Sequence, residues 1–175
     1  MNPGGFNRAY LLLGSNMDAE TNLPAAVRAL SAFGTIVAAS GVRESAPVGF
    51  TQQDNFLNAA VLLETESSAV ELREGPIAAV ERQLHRVRDP QNVDGPRTID
   101  IDIVLFNDDV GEFGRVRVPD PDLLTRAFVA VPLAEIAPAF VHPRDGRTLA
   151  EIAADLVEDA GGLTPRPDVR LTVAG

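Results

Sequence analysis

Four apolar runs along the chain are short enough to be strands, and turn residues bound them. The first, residues 9–13, reads Ala-Tyr-Leu-Leu-Leu and continues into Gly14-Ser15-Asn16. Runs of this length that end at Gly and polar residues predict buried strands. The predicted strands cover residues 9–13, 35–40, 58–65 and 99–106.

Helical spacing of apolar residues predicts a helix between the first two strands. Its buried face consists of Leu23, Ala26, Val27 and Leu30. Thr21 or Asn22 is suited to cap its start, and Gly34 lies just past its end. The polar and Gly/Pro-rich segment 43–55, before the third strand, is long enough to be a functional loop.

A second helix is predicted after the third strand, with Ser67 or Ser68 as its cap. Its apolar face consists of Ile77, Val80, Leu84 and Val87. Gly75-Pro76 interrupts this pattern. The proline either kinks the helix or occupies its first turn after an irregular segment over 69–74, and the sequence leaves both alternatives open.

The last third of the chain adds elements to this pattern. We expect a turn at 107–109, a hairpin arm over 111–118, a loop at 119–121 and an apolar run over 128–133. A closing helix is predicted from its cap Thr148 through Val157. The Pro-rich tail, residues 161–175, is expected to be loose.

The order β-α-β-β-α-β predicts an α+β fold of the ferredoxin-like, split β-α-β type. We expect an antiparallel sheet with helices on one face and an added C-terminal hairpin and helix. No linker or repeat divides the chain, so one domain is predicted over residues 1–175, with its core at about 6–158.

The composition excludes several kinds of catalytic chemistry. The 175 residues carry a net charge of −10 and contain neither Cys nor Lys, so all 15 basic residues are arginines. Disulfides, thiolate nucleophiles and Schiff-base lysines are therefore excluded.

The start, residues 1–6, has no signal-peptide pattern, which makes the cytoplasm the default location. Acidic charge and the absence of a 20-residue apolar run disfavour nucleic-acid and membrane partners, while oligomeric state is left open.

Two aspartates on the fourth predicted strand form the sharpest local feature. Asp100 and Asp102 alternate with Ile101 and Ile103, so both carboxylates point to one face, roughly 6.5–7 Å apart. Such a pair suits Mg²⁺, which takes carboxylates together with water and phosphate oxygens. The competing interpretation is an acidic, solvated strand face.

Arginines cluster near these aspartates in the sequence. They are Arg82, Arg86, Arg88, Arg97 and Arg126. Guanidinium groups bind phosphate in a bidentate manner, and phosphoryl transfer needs mainly positioning, metal and positive charge. Taken singly, each arginine is better explained by a solvated helix face paired with Glu81 or Asp89. Together with the aspartates they favour a Mg-nucleotide site.

Two phenylalanines adjoin polar loop residues. Phe56 lies beside Asn55 and near Asn58, and Phe128 lies near Arg126. Both are ordinary core candidates, but a flat ligand could stack on them. His85, among arginines, is interpreted as a solvated helix residue rather than a general base.

These residues, in this order, resemble the 6-hydroxymethyl-7,8-dihydropterin pyrophosphokinase family of folate biosynthesis. The most specific match is residues 95–102, Gly-Pro-Arg-Thr-Ile-Asp-Ile-Asp, and the likeness extends from about Tyr10 to Pro138. Further matching segments are Leu12–Asn16, Glu44–Gly49, Gln53, Phe56–Asn58, Glu81, Arg86–Arg88, Val118-Pro119, Arg126, Phe128 and Pro132–Pro138.

The resemblance implies transfer of a pyrophosphoryl group from MgATP to the pterin hydroxymethyl, with release of AMP. It implies that Asp100 and Asp102 hold two Mg²⁺ ions and that Arg86 and Arg97 share in catalysis. The implied ATP-binding residues are Glu81, Arg86, Arg88, Arg97, Ile103 and Arg126. The implied pterin-binding residues are Ser45, Val48, Phe56, Asn58 and Phe128, with the two rings sandwiching the pterin and Asn58 bonding its edge.

The chain departs from the family pattern mostly on the ATP side. Val93-Asp94 stands where many members have Arg-Trp, Asp120-Pro121 where they have His-Pro or His-Tyr, Ala78 where a glutamine is expected, and His85 where a glycine precedes Arg86. An alternative is therefore a pterin-binding homologue whose catalysis is weakened or lost. A third reading is an interaction module with an acidic surface.

Overall fold

The computed structural model describes residues 5–157 and 163–173. Within these residues, the strands are β1 (Asn7–Ser15), β2 (Thr35–Ala39), β3 (Arg43–Ser45), β4 (Phe56–Thr65), β5 (Asp100–Phe106), β6 (Gly111–Phe113), β7 (Val116–Val118) and β8 (Thr164–Pro165). The helices are α1 (Ala19–Leu30), α2 (Ala69–Leu72), α3 (Ala78–Gln83), α4 (Ala127–Ile136) and α5 (Leu149–Val157).

An antiparallel sheet of six strands forms the centre of the fold. Strand β1 has β5 on one side and β4 on the other, while the far edge of β4 pairs with β2 along one half and with β3 along the other. Because β4 separates β1 from β2, the order is that of a split β-α-β unit. The predicted α+β class and ferredoxin-like order are confirmed.

Alternation along the central strands divides the apolar residues between two cores. On β1, Leu11 and Leu13 enter the core beneath α1, α2 and α3, whereas Tyr10 and Leu12 enter the core beneath α4 and α5. Side chains on a strand point alternately to opposite faces, so a strand covered on both sides is apolar throughout. The expectation of helices on one face only is therefore wrong.

The first helix begins without the predicted side-chain cap. Its N-cap is Asp18, in the left-handed region with φ 47°, and Thr21 and Asn22 lie inside the helix. The Asn22 amide instead donates to the Met17 carbonyl at 2.6 Å. The predicted apolar face of this helix is buried.

The second helical segment passes through Gly75-Pro76 without a break. Ser68 caps α2 in a capping box with Glu71, and a single π-helical turn, Arg73–Ile77, joins α2 to α3. A π turn shifts the hydrogen-bond pattern by one residue, which accommodates a proline that lacks an N–H. The segment from Ala69 to Gln83 is helical throughout, so the irregular segment over 69–74 is not observed.

This helical segment ends earlier than the apolar spacing predicts. Helix α3 ends at Gln83, and Val87 lies beyond it with 79% of its surface exposed. His85 is exposed, as expected, and has φ 59°. A left-handed residue just past a helix end is usually glycine, so His85 occupies the position where this geometry favours Gly.

The C-terminal additions differ from the predictions in two places. Residues 111–118 form both arms of a hairpin, since β6 pairs with β7. The described part of the tail, residues 163–173, is not loose, because β8 extends the sheet beside β3 and Val169 is buried. Thr148 caps α5 as predicted.

No helix among the described residues is long and apolar enough to cross a bilayer.

Candidate active site

Asp100 and Asp102 lie at the start of β5, beside β1. Their register partners on β1 are Gly14 and Leu12. Ile101 is buried between them in the core, so the two carboxylates share the opposite face. The strand geometry predicted for this pair is confirmed.

Two arginines hold the Asp100 carboxylate. Arg86 Nη1 lies 2.7 Å from Oδ1, and Arg97 Nη1 donates to Oδ2 at 2.8 Å. The same Arg86 nitrogen donates to the Ile99 carbonyl at 2.7 Å, and the Arg86 side chain is 7% exposed. Charge-assisted bonds to a buried guanidinium fix the orientation of a carboxylate.

Asp102 differs from Asp100 because its side chain forms no salt bridge or hydrogen bond with any described residue. Dense surrounding protein raises the pKa of Asp102 to about 7, and the negative charges of Asp100 and Asp120 add to that rise. Its side chain is nevertheless open to the cleft. An unpaired carboxylate that is surrounded by protein and by other negative charges is disposed to bind a proton or a cation.

A cleft of about 790 Å³ opens beside Asp102, between the α2–α3 segment and the hairpin. Six arginines line it: Arg73, Arg82, Arg86, Arg88, Arg115 and Arg117. Glu81, Ile103 and Asp120 complete part of the wall. Positive side chains concentrated in one cleft of an acidic protein attract an anion.

Glu81 lies at the base of this large cleft and is 6% exposed. Its carboxylate accepts from Arg73 at 3.3 Å and from Arg88 at 3.1 Å, and it lies 3.4 Å from the Ile101 backbone nitrogen. Glu81 therefore links two cleft arginines to β5. In this structure its carboxylate is paired with these arginines and is not free.

Three of the cleft arginines are not among the candidate residues identified from the sequence. Arg73 begins the π turn and donates to the Ile101 carbonyl at 2.9 Å. Arg115 and Arg117 lie on the hairpin, where they alternate with the buried residues Val116 and Val118. That alternation was visible in the sequence and indicates one charged face opposite one buried face.

A second, smaller cavity of about 370 Å³ lies on the other side of Asp102. It is lined by all five residues implied for the pterin: Ser45, Val48, Phe56, Asn58 and Phe128. Asp94, Asp100, Asp122 and Arg126 also line it. Asp94 and Asp122 were not among the predicted site residues.

Hydrogen bonds fix the polar edge of this small pocket. Asn58 is 4% exposed, and its amide donates to Ser45 Oγ at 2.8 Å. Arg97 lies over the Phe56 ring, with its guanidinium carbon 5.4 Å from the ring centroid. These contacts hold an aromatic face and an amide edge in place before any ligand enters.

The structure distributes the arginines implied for ATP between two cavities. Arg86, Arg88 and Ile103 line the large cleft, whereas Arg97 and Arg126 line the small pocket. Arg126 is the residue at the N-cap of α4, two positions before Phe128. Its position is beside the aromatic pocket, not within the arginine cleft.

The residues that depart from the pattern of the resembled family adopt defined local structure. The Val93 carbonyl accepts from Arg97 at 3.0 Å, and the Asp94 carbonyl accepts from Gln53 at 2.6 Å. Asp120 caps a 3₁₀ turn by accepting from the Asp122 N–H, and burial raises its pKa. The loop thus supports Arg97 through backbone atoms.

The carboxylates fit Mg²⁺ as a pair. No group of three or more His, Cys, Asp or Glu side chains within residues 5–157 and 163–173 is arranged to hold a metal by itself. Mg²⁺ commonly takes one or two carboxylates and completes its octahedron with water and substrate phosphate. Asp102 has free oxygens for this purpose, while Asp100 would exchange an arginine contact for a metal contact.

Paired carboxylates, an arginine cleft and a pre-formed aromatic pocket are typical of an enzyme that transfers a phosphoryl group to a flat substrate. Comparison with known families agrees. The model of the 7,8-dihydro-6-hydroxymethylpterin-pyrophosphokinase (HPPK) family matches residues 10–138. The chain belongs to this family.

Curated relatives named 2-amino-4-hydroxy-6-hydroxymethyldihydropteridine pyrophosphokinase match most of the chain. The protein of Bacillus subtilis (strain 168) is 43% identical over 133 residues, covering 74% of this chain and 78% of the relative. That of Methylorubrum extorquens is 43% identical over 152 residues, covering 85% and 93%. That of Pseudomonas aeruginosa is 37% identical over 150 residues, covering 84% and 90%.

Solved structures support the fold. The crystal structure of wild-type Plasmodium falciparum HPPK-DHPS aligns with a TM-score of 0.67 and 14% sequence identity. The alignment covers 87% of this chain, which spans 45% of that longer chain.

Proposed function

We propose that this protein transfers the pyrophosphoryl group of ATP to the hydroxymethyl group of 6-hydroxymethyl-7,8-dihydropterin, in folate biosynthesis. Its family membership and its relatives at 37–43% identity support this reaction. Asp102 lines both the large cleft and the small pocket, and this shared position carries the proposal most directly.

The substrates are assigned to the two cavities by their chemistry. The triphosphate belongs in the large cleft, where guanidinium groups neutralise its charge. The flat dihydropterin belongs in the small pocket, between Phe56 and Phe128, with its polar edge on Asn58. The hydroxymethyl group would then lie near Asp100 and Asp102, at the junction.

In the reaction, the hydroxymethyl oxygen attacks the β-phosphorus, the bond from that phosphorus to the α,β-bridging oxygen breaks, and AMP leaves. The hydroxyl proton passes to solvent. Two Mg²⁺ ions held by Asp100 and Asp102 would supply charge neutralisation on the phosphate oxygens. Arg86 and Arg97 orient the Asp100 carboxylate and place positive charge beside the transferred group.

The alternative of a pterin-binding protein without catalysis has less support. Both aspartates and all five arginines singled out in the sequence remain at the two cavities. The atypical residues Val93 and Asp94 contribute backbone carbonyls to Arg97 and Gln53, which any residue could supply.

Nucleotide product analysis tests the proposal. The protein is incubated with MgATP and 6-hydroxymethyl-7,8-dihydropterin, and AMP and ADP are quantified together with the pterin. AMP that appears in step with pterin consumption, without ADP, is the expected result. Pterin binding without AMP formation would favour the non-catalytic alternative, and the absence of both would favour the interaction module.

A further inference from the structure

The described tail, residues 163–173, lies on the sheet edge next to a strand of the small pocket. In the β3–β8 pair, Thr164 stands opposite Glu44 and Pro165 opposite Arg43. The Arg166 N–H donates to the Val42 carbonyl at 2.8 Å, and Val169 is buried in the first core. The family match ends at residue 138, so this segment lies outside the matched region.

The side chain of Arg166 contacts three carboxylates, two of them outside the tail and one, Asp168, within it. It donates to Glu44 at 3.0 Å, to Glu20 at 3.2 Å and to Asp168 at 2.8 and 2.9 Å. Its side chain is 24% exposed. An arginine with all three nitrogens engaged is held in one orientation.

Glu44 links Arg166 to the start of β4. One of its carboxylate oxygens faces Arg166, and the other accepts from the Asn55 amide at 3.0 Å. The Asn55 bond and then the Arg166 contact lower the pKa of Glu44. Glu44 therefore connects the tail to the residue that precedes Phe56.

The neighbours of Glu44 and Asn55 line the small pocket. Ser45 and Phe56 are register partners in the β3–β4 pair, and both contribute to the pocket wall. Because side chains alternate along a strand, Glu44 and Ser45 point to opposite faces of β3. A contact to Glu44 can thus fix the position of Ser45 without entering the pocket.

We infer that Arg166 is a positioning residue for the pterin: it anchors Glu44 and thereby sets Ser45 on β3 and Phe56 on β4. This inference rests on the proposed function. A pocket whose walls are fixed before binding loses less conformational entropy when the ligand enters. The tail beyond the matched region would therefore tune pterin affinity and leave the arginine cleft unaffected.

Steady-state kinetics of Arg166→Gln test this inference. The pterin KM is expected to rise roughly 10-fold, while the ATP KM stays within about twofold, because only the pocket walls loosen. Arg147→Gln is the matched control. Arg147 also bridges two carboxylates, Asp145 and Asp155, but it contacts α5 on the opposite side of the sheet. Both KM values should be unchanged in that variant.

Glu44→Gln and the double variant separate positioning from simple stabilisation. If Arg166 acts through Glu44, Glu44→Gln raises the pterin KM by a similar factor and the double variant adds little. A melting temperature lowered in Arg166→Gln without any change in pterin KM would overturn the inference. So would multiplied effects in the double variant. Glu44→Gln alone decides the matter if Arg166→Gln does not fold.

Failure of the proposed function can be told apart from failure of this inference. If the wild-type protein forms no AMP, affinity for the dihydropterin is measured by fluorescence titration in the same variants. Weaker binding in Arg166→Gln, but not in Arg147→Gln, would support the positioning role on its own. Equal binding in all three proteins, or no binding in the wild type, would overturn it.

Discussion

The large cleft and the small pocket meet at Asp102, yet they hold their side chains in different ways. In the small pocket, Asn58 is bonded to Ser45, and Arg97 lies over Phe56. In the large cleft, Arg82, Arg115 and Arg117 are exposed and form no ion pair with any described residue. In the pocket these contacts fix the side chains. In the cleft, Arg73, Arg86 and Arg88 are held in ion pairs, and the other three arginines supply charge on adaptable side chains.

This difference matches the two kinds of ligand. A fused ring has one shape and one polar edge, so a rigid wall distinguishes it from other rings. A triphosphate has many conformations, and long arginine side chains can follow it. The two regions should therefore respond separately to substitution, except at Asp102, which lines both.

Asp102→Asn should have the largest effect, because it affects the junction of both regions. Loss of the carboxylate that we propose to bind metal is expected to lower the rate of AMP formation by about 10²–10³-fold or more. Folding should be intact, since Asp102 has no partner among the described residues. The rate is measured beside Asp108→Asn, an exposed aspartate after the same strand. A near-normal rate in Asp102→Asn would contradict its assigned role.

Phe56→Ala and Arg82→Ala should separate the two regions. Loss of the Phe56 ring is expected to raise the pterin KM roughly 10–100-fold, since stacking contributes about 1–3 kcal/mol per ring. Loss of Arg82 is expected to raise the ATP KM by about 5–10-fold. Each variant is the control for the other. If either variant changed both KM values equally, the assignment of substrates to separate cavities would be wrong.

Glu81→Gln tests the support beneath the cleft. The variant retains the size of the side chain but removes the charge that holds Arg73 and Arg88. Unfolding free energy is expected to fall by about 1–2 kcal/mol, as measured by urea denaturation. The ATP KM should rise by a smaller factor than the one seen in Arg82→Ala. An unchanged denaturation midpoint would show that Glu81 contributes little to this part of the fold.

A pH series of metal-free protein tests the raised pKa of Asp102. The folded pKa of Asp102 is about 7, above the ordinary value of 3.8. Between these two values the folded state binds the extra proton, so this group's contribution to stability is full below pH 4 and is lost as pH rises to 7. The melting temperature of the wild type should fall relative to Asp102→Asn over that interval. A constant difference would contradict the raised pKa.

Much of this fold was predictable because its signals are local. The apolar alternation of β1 and the helical spacing of α1 required only neighbouring residues. The number of helix-covered faces was not predictable in this way. Apolar strands such as β4 are consistent with two covered faces, but the placement of α4 and α5 depends on tertiary packing.

The same distinction between local signals and long-range contacts applies to the candidate active site. Asp100 and Asp102 are two residues apart on one strand, so their common face follows from strand geometry. Arg73 lies 29 residues before Asp102 in the sequence, and a π turn brings it to β5. The tail at Arg166 reaches Glu44 from 122 residues away. Contacts of this kind have no signature in the local pattern.

The most direct test of the shared junction is a crystal structure of the protein with a non-hydrolysable ATP analogue, Mn²⁺ and the dihydropterin. Anomalous scattering would locate the metal ions. We predict metal between the triphosphate and both Asp100 and Asp102, phosphates among the cleft arginines, and the pterin between Phe56 and Phe128. Metal bound elsewhere, or nucleotide and pterin in one cavity, would contradict it.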